Sequence, residues 1–240
     1  MSRIVVKVGG AVAARSAAAV LELAAANDVC VVHGAGPQIS VEMERAGIQV
    51  EFLDGLRVTN APALEIVRAS LETVNAALCA AIGQRAVPFF GHEVGLEARR
   101  LERYGRVGEV DPQALLAVVR VLEAGKIPVV APLALERGAG LLNVNADDAA
   151  AAIAVGMEAN RLLFLTDVDG FMVDGEVVDS LDVATAEKLF FGGTLEGTIL
   201  PKLGAAIEAA RWGVAAFIGR TEVLAEKQSP GTPLRLIGRS

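Results

Sequence analysis

The stretch Ile4-Val5-Val6-Lys7-Val8-Gly9-Gly10 reads as a buried β-strand that ends in an ammonium group and a flexible turn. Its apolar residues are continuous rather than alternating, the mark of a strand covered on both faces, as in a parallel sheet with helices above and below. Where such a strand stops at two glycines, backbone N–H groups can approach an oxyanion while the lysine neutralises it. A lysine at a strand end is also common as a solvated edge charge. The stretch on its own leaves both readings open.

Working outward, similar apolar runs occupy 29–32, 86–90, 127–131, 162–166 and 214–218. Between them lie Ala-rich helical stretches with recognisable ends: Asn60 before Pro62, Asp111 before Pro112, and Gly125 and Gly213 as stops. The βαβα order predicts an α/β fold, a three-layer αβα sandwich around a mainly parallel central sheet. Excursions at about 94–108, 133–145 and 171–178 read as hairpins at the sheet's mouth, the last holding Asp174-Gly175 between short apolar runs. No repeat, low-complexity tract or Pro/Ser linker separates the parts. Two lobes, 1–150 and 151–240, are expected to join intimately at a seam near 145–155.

Composition narrows the surroundings. A chain of 240 residues can bury a substantial core. Its net charge of -7, without a basic run or aromatic-basic stripe, argues against a nucleic-acid surface, so any anion must be met locally. No apolar run approaches the length needed to span a bilayer, and Lys7 splits the N-terminal apolar stretch, so a signal peptide and membrane span are not expected. Cys30 and Cys79 lack metal-ligand or CxxC spacing and read as buried thiols of a reducing, cytoplasmic compartment.

Ligands of open parallel sheets bind at the carboxyl ends of the strands, and the informative residues collect there. After the second strand comes His33-Gly34-Ala35-Gly36-Pro37. It is not a dinucleotide fingerprint, because position 39 is Ile where a third Gly belongs. It is either a glycine turn feeding a helix N-terminus suited to a carboxylate or phosphate, or a turn that needs glycine for conformation alone. No G-x-x-x-x-G-K-[ST] is present. Arg57, in the turn 54–59, can grip a carboxylate with two parallel hydrogen bonds or form a surface ion pair. In Asn143-Val144-Asn145-Ala146-Asp147, extended backbone would line Asn143, Asn145 and Asp147 on one face. Alternatively Asp147, with Asp148, caps a helix. Thr166-Asp167-Val168-Asp169-Gly170 follows an apolar strand, and Lys202 starts a helix, where its charge opposes the macrodipole and requires an anion. His33 is expected beneath the glycine turn, His92 in a loop, and Trp212, Tyr104 and the eight Phe in packing roles, with Phe171 as a neighbour of a nucleotide.

This constellation resembles the amino acid kinase family, and within it the members that phosphorylate N-acetyl-L-glutamate. The resemblance runs through KVGG at 7–10, VHGAGP at 32–37, GLRVT at 55–59, VGEV at 107–110, NVNAD at 143–147, TDVDG at 166–170 and ILPK at 199–202. It implies an N-terminal lobe for the acyl amino acid and for dimerisation, and a C-terminal lobe for ATP. Lys7 and Lys202 would stabilise the transferring phosphoryl group and Asp147 would orient them. Ala35, Gly36, Arg57, Asn143 and Asn145 would meet N-acetyl-L-glutamate. Gly9, Gly10, Asp167, Val168, Asp169, Gly170, Phe171, Met172, Thr194, Leu195 and Glu196 would meet the nucleotide. Mg²⁺ would be held by the ATP phosphates, with no metal ligand from protein side chains. The chemistry agrees, since phosphoryl transfer needs positioning and charge neutralisation, and an ionised carboxylate acceptor needs no general base.

The chain departs from the family pattern at Ala35, where a glycine is usual, in a short connection from Gly10 to Val29, and in an abbreviated segment after Arg220. Carrier-linked aminoadipate kinases of lysine synthesis and inactive ligand-binding regulators are the alternatives. The first typically differs at GLRVT and NVNAD, and the second is opposed by Lys7, Asp147 and Lys202 together. Arginine-inhibited members carry an extra N-terminal helix that links dimers into hexamers, whereas only Met1-Ser2-Arg3 precede the first strand here. The resemblance therefore implies a homodimer that does not respond to arginine.

Overall fold

Alternation along the first strand, β1 (Ser2–Val8), sends Ile4, Val6 and Val8 into one core and Val5 into another on the opposite face. Lys7 shares the face of Val5. The computed structural model describes residues 1–10, 16–165, 170–173, 176–193, 195, 197 and 199–225. After β1 come α1 (Ala17–Leu23), β2 (Asn27–His33), α2 (Gly36–Arg45), β3 (Phe52–Leu53), β4 (Leu56–Arg57), α3 (Ala61–Ile82) and β5 (Ala86–Phe90). The middle of the chain forms β6 (Ala98–Arg100), β7 (Val107–Val110), α4 (Leu116–Glu123), β8 (Ile127–Ala131), β9 (Leu133–Glu136), β10 (Gly140–Val144) and α5 (Ala146–Gly156). The last part contributes β11 (Arg161–Leu165), β12 (Met172–Val173), β13 (Glu176–Val177), β14 (Ser180–Asp182), α6 (Val183–Phe191), α7 (Ile199–Arg211), β15 (Ala215–Ile218) and β16 (Thr221–Leu224).

Eight strands make one sheet in the order β14-β16-β15-β11-β1-β2-β8-β5, parallel throughout except for the pair β15/β16. The three-layer α/β fold expected from the sequence is the one observed. Helices α1 to α3 cover the face that holds Ile4, Val29 and Val129, while α4, α5 and α7 cover the face that holds Val5, Val32 and Leu162. Fully burying a residue such as Leu78 or Ile153 contributes roughly 1.5–3 kcal/mol, so both cores hold the sheet in place. Strand order reverses at β1, which lies between β2 and β11, and this crevice is where an open sheet receives ligands. The excursions are hairpins, as expected: β6/β7 and β9/β10 join in a second sheet, β6-β7-β10-β9, and β12 pairs antiparallel with β13. The turn residues Asp174 and Gly175, and Thr166 at the end of an expected strand, lie outside the described residues.

Local signals account for most helix ends. Asn60 caps α3 by accepting from the Ala63 N–H at 2.9 Å, with Pro62 in the first turn. Gly83 and Gly213, both with φ of +85°, close α3 and α7. Asp111 is a correction: it caps nothing, and α4 begins five residues later at Leu116. The proline after Asp111 disfavours helical backbone there, and the chain is instead held by burial of Leu115 and its N–H bond to the Gly156 carbonyl at 2.8 Å. A Cβ at Gly156 would lie 2.1 Å from the Gln113 carbonyl oxygen, so this crossing tolerates glycine alone without a backbone shift. Trp212 and Tyr104 also depart from expectation, the indole being 57% exposed with its N–H on Glu208 and the phenol donating to Asp54. Among the described residues no helix is long and apolar enough to cross a membrane.

Candidate active site

Three charged side chains from three elements meet beside the end of β1. Lys7 Nζ lies 2.7 Å from Asp147 Oδ1, and Lys202 Nζ lies 3.8 Å from Asp147 Oδ2. All three are largely buried, with side-chain exposures of 9% for Lys7, 9% for Asp147 and 13% for Lys202. Asp147 does not continue the extended face of Asn143, because β10 ends at Val144 and α5 begins at Ala146. Nor is it the helix cap. Asn145 caps α5 through Oδ1, which accepts from the Asp147 N–H at 2.7 Å and the Asp148 N–H at 3.4 Å. Asp147 thus stands in the first turn of a helix, where the macrodipole favours an anion, and offsets the unfavourable placement of Lys202 in the first turn of α7. Two ammonium groups share one carboxylate. Two ammonium groups converging on one point suit a phosphoryl group entering the crevice.

The glycine turns after β1 and β2 are packed against one another. Gly34 N–H donates to the Val8 carbonyl at 3.1 Å, and Gln38 Nε2 donates to the Gly10 carbonyl at 2.9 Å. A Cβ on Gly10 would sit 2.6 Å from Gly34 O and 2.8 Å from Ala35 Cα, both backbone atoms. Gly10 is therefore required for close approach, while Gly36 has open space around it. Ala35 occupies the N-cap position of α2 with no side-chain cap, so the amides of this helix start are left for a ligand.

Arg57 stands at the other side of that helix start. Its guanidinium donates to the Gly36 carbonyl at 3.0 Å and Ser40 Oγ at 2.9 Å, and lies 4.6 Å from the centre of the Phe52 ring. Burial pulls its pKa down from the ordinary value, and among the described residues no carboxylate pairs with it. It is not a surface ion pair. Asn143 reaches the same region, donating through Nδ2 to Thr59 Oγ1 at 3.2 Å, and Thr59 Oγ1 donates in turn to the Arg57 carbonyl at 2.9 Å. GLRVT and NVNAD, far apart in sequence, are thereby joined.

His33 lies beneath the turn, as expected, with no exposed surface. The Asn75 amide donates to its Nε2 at 3.1 Å and to the Val129 carbonyl at 2.9 Å, which leaves the ring proton on Nδ1, facing the Gly34 carbonyl at 3.3 Å. Burial pushes its pKa down to about 4, although the Gly34 carbonyl pulls the other way. His33 is a neutral strut, not an acid or base.

Of the residues expected around a nucleotide, Gly9 and Gly10 follow β1, and Gly170, Phe171, Met172 and Leu195 lie beyond β11. Asp167, Val168, Asp169, Thr194 and Glu196 lie outside the described residues. The Phe171 ring is 1% exposed and belongs to the core, and its N–H donates to Thr221 Oγ1 at 2.7 Å. Met172 beside it is exposed. A ring contact with a nucleotide is therefore not available at Phe171 as the ring now packs.

A sequence profile of the amino acid kinase family matches residues 2–220. The chain belongs to the amino acid kinase family. It is 41% identical to the acetylglutamate kinase of Rubrobacter xylanophilus over 236 residues, covering 94% of this chain and 92% of that one. It is 39% identical to the acetylglutamate kinase of Chloroflexus aurantiacus over 197 residues, 77% of each chain. The crystal structure of smu.665 from Streptococcus mutans superposes with a TM-score of 0.84 and 27% identity, over 93% of this chain and 99% of that one.

Several site residues carry no obvious sequence signal. Thr59, Ser40 and Phe52 surround Arg57 and would be found only by asking what a buried guanidinium rests on. Gln38 had one clue, being the third residue of a helix whose cap is Ala, where a long amide commonly folds back onto neighbouring backbone. His33 yields a test. An unfolded histidine takes up its proton near 6.5 and the folded one near 4, so stability is complete above pH 6.5 and falls as pH drops towards 4, by roughly 3 kcal/mol. Denaturant melts of the wild type and His33→Asn between pH 7 and 4 should show this decline in the wild type and a flatter profile in the variant; equal slopes would remove His33 as its cause.

Proposed function

We propose that this chain transfers the γ-phosphoryl group of ATP to the γ-carboxylate of N-acetyl-L-glutamate, giving N-acetylglutamyl 5-phosphate and ADP in arginine biosynthesis. The observation that carries the reading is Arg57, a buried guanidinium with no carboxylate partner among the described residues, on the same helix start that packs against the turn following Lys7. Residues 1–150 would hold the acyl amino acid and 151–240 the nucleotide. The α-carboxylate meets Arg57, with Asn143 and the Nδ2 amide of Asn145 alongside, and the backbone of Ala35 and Gly36 faces the chain of the substrate. The γ-carboxylate, ionised because its pKa is about 4.3, attacks phosphorus without loss of a proton. One P–O bond forms to the carboxylate oxygen while the bond to the β–γ bridging oxygen breaks, and ADP leaves with the electron pair. Lys7 and Lys202 neutralise charge on the transferring oxygens, and Asp147 holds both ammonium groups in place.

Mg²⁺ is proposed to arrive on the nucleotide. The carboxylate between the lysines fits that placement, being already engaged by Lys7 at 2.7 Å. When bound, the ion screens charge on the β- and γ-phosphates. Cytoplasmic location and a homodimer complete the proposal. A cleft of about 560 Å³ between α2 and α3, lined by Gln38, Glu42, Arg45, Ile66, Ser70 and Thr73, is a surface that a second copy would cover. Light scattering should give twice the 24.9 kDa chain, and a monomer or hexamer would count against the dimer.

With MgATP and N-acetyl-L-glutamate, hydroxylamine should trap a hydroxamate, and its absence would remove the proposed activity. Lys202→Ala should lower kcat by about two orders of magnitude while acetylglutamate affinity by calorimetry stays near wild type, since that charge acts on the transition state. An unchanged kcat would exclude the role. Arg57→Lys should raise the KM for acetylglutamate by roughly tenfold, because a point charge cannot reproduce a planar two-bond grip. A shift confined to the KM for ATP would move Arg57 to the nucleotide.

A further inference from the structure

Gln38 touches both glycine turns. It is the third residue of α2, whose first residue, Gly36, accepts a hydrogen bond from Arg57 at 3.0 Å. Its side chain crosses to the other turn, where Nε2 donates to the Gly10 carbonyl at 2.9 Å. Gly10 needs such a restraint. Lacking a Cβ, it has the widest backbone freedom of any residue, and a Cβ cannot supply the restraint because its place is taken by Gly34 O at 2.6 Å. A second observation separates this contact from simple packing. Gln38 Oε1 is buried without a hydrogen-bond partner among the described residues, 2.9 Å from where that Cβ would stand. An orphaned carbonyl oxygen is a cost that a methionine of similar length would avoid. Gln38 therefore contributes through its donor end.

We propose that Gln38 is a positioning residue that couples the phosphate-facing turn at Gly10 to the acceptor-facing start of α2, holding donor and acceptor in one register. The inference rests on the kinase reading above. In-line transfer depends on reacting atoms held about 3–3.5 Å apart, and a displacement of about 1 Å costs on the order of a hundredfold in rate. Lys7 and Arg57 are fixed by their own partners. The turn between them is fixed to α2 by the Gly34–Val8 bond and by Gln38. The role requires an amide, because a carboxylate would set an acceptor against the Gly10 carbonyl.

Three measurements on wild type, Gln38→Met and Gln38→Glu test this. Gln38→Met should keep its Tm within about 2 °C of wild type or raise it, while kcat in the hydroxamate assay falls roughly tenfold or more and both KM values stay within about threefold. Amide exchange at Gly9 and Gly10 should be faster by about tenfold. Gln38→Glu should be slow at about pH 8 and recover relative to wild type as pH falls towards about 5.5, because burial against the Gly10 carbonyl raises the new carboxyl above its ordinary pKa of about 4.3 and its protonated form regains a donor for Gly10. A Met variant with wild-type kcat, or a Glu deficit that is the same at every pH, overturns the proposal. Should Gln38→Met fail to fold, the pH profile of Gln38→Glu decides. If wild type itself forms no acyl phosphate, the kinase reading fails separately, and exchange at Gly9 and Gly10 judges the coupling: faster in Gln38→Met supports it, unchanged overturns it.

Discussion

The bridge from Asp147 to Lys7 and Lys202 constrains the positions of β1, α5 and α7 together. Removing three charged groups from water costs several kcal/mol per ion unless geometry and local dipoles offset it. Here the offset comes from the start of α5, capped by Asn145, and from the short Lys7 contact of 2.7 Å. Both helices must also approach closely enough for lysine to reach across. The alanines permit this. Ala149 to Ala152 and Ala154 of α5, and Ala205, Ala206, Ala209 and Ala210 of α7, are all buried in the same core. Small side chains at a helix crossing shorten the interaxial distance, so the apolar, alanine-rich composition is part of how two ammonium groups come to share a carboxylate.

A second constraint lies one strand away. The turn after β1 meets the turn after β2 with no side chain between them, since Gly10 packs directly on the backbone of Gly34 and Ala35. The parallel register of β1 and β2, which pairs Val8 with His33, brings the two turns level. Beneath them the buried imidazole of His33, its Nε2 engaged by Asn75, fills the space with a neutral polar group whose bonds fix the height of Gly34. Because stiffness is supplied from below by His33 and from the side by Gln38, the upper surface can consist of backbone amides, which suit anions and carry no titratable group of their own.

Much of this was legible in the chain. The run at 127–131 is the observed strand β8, buried at every position because both its faces are covered, whereas the run at 86–90 is β5, which is apolar and yet only partly buried because it forms the edge of the sheet. Asn60 with Pro62 marked α3 for an equally local reason. Lys7 stood out as an ammonium that closes an apolar strand, Lys202 as a cation that opposes a helix macrodipole and so requires an anion, and Asp147 as an acid spaced with Asn143 and Asn145 or capping a helix. What sequence could not show depends on contacts between distant segments. Asp111 looks like a cap until burial of Leu115 and the crossing at Gly156 determine where α4 starts. Asp147, with Asp148, looks like a helix cap on spacing alone, and only the structure shows that Lys7 claims the carboxylate while Asn145 caps α5. Trp212 is apolar by type and yet exposed, because α7 ends beside it. The helix position of Gln38 hints at a side chain that folds back, but its partner, Gly10, is 28 residues away and is seen only in the fold.

Ala35 is the departure from the family pattern that bears most directly on acceptor fit. A glycine at a turn is irreplaceable where φ is positive or where its missing Cβ makes room. Neither holds here, since Ala35 has φ of −142°, a value open to any residue. Its side of the chain belongs to the core formed by Ile39, Met43 and the helices of that face, and the residue is 2% exposed. The methyl group therefore adds to the packing under α2 while the backbone keeps its place at the helix start. On the proposed reading, recognition at this point is by amide groups and by Arg57, and an alanine that points inward alters neither. The same logic separates Ala35 from Gly10: a methyl that faces a core can be absorbed, whereas one that faces a backbone carbonyl at 2.6 Å must move the turn.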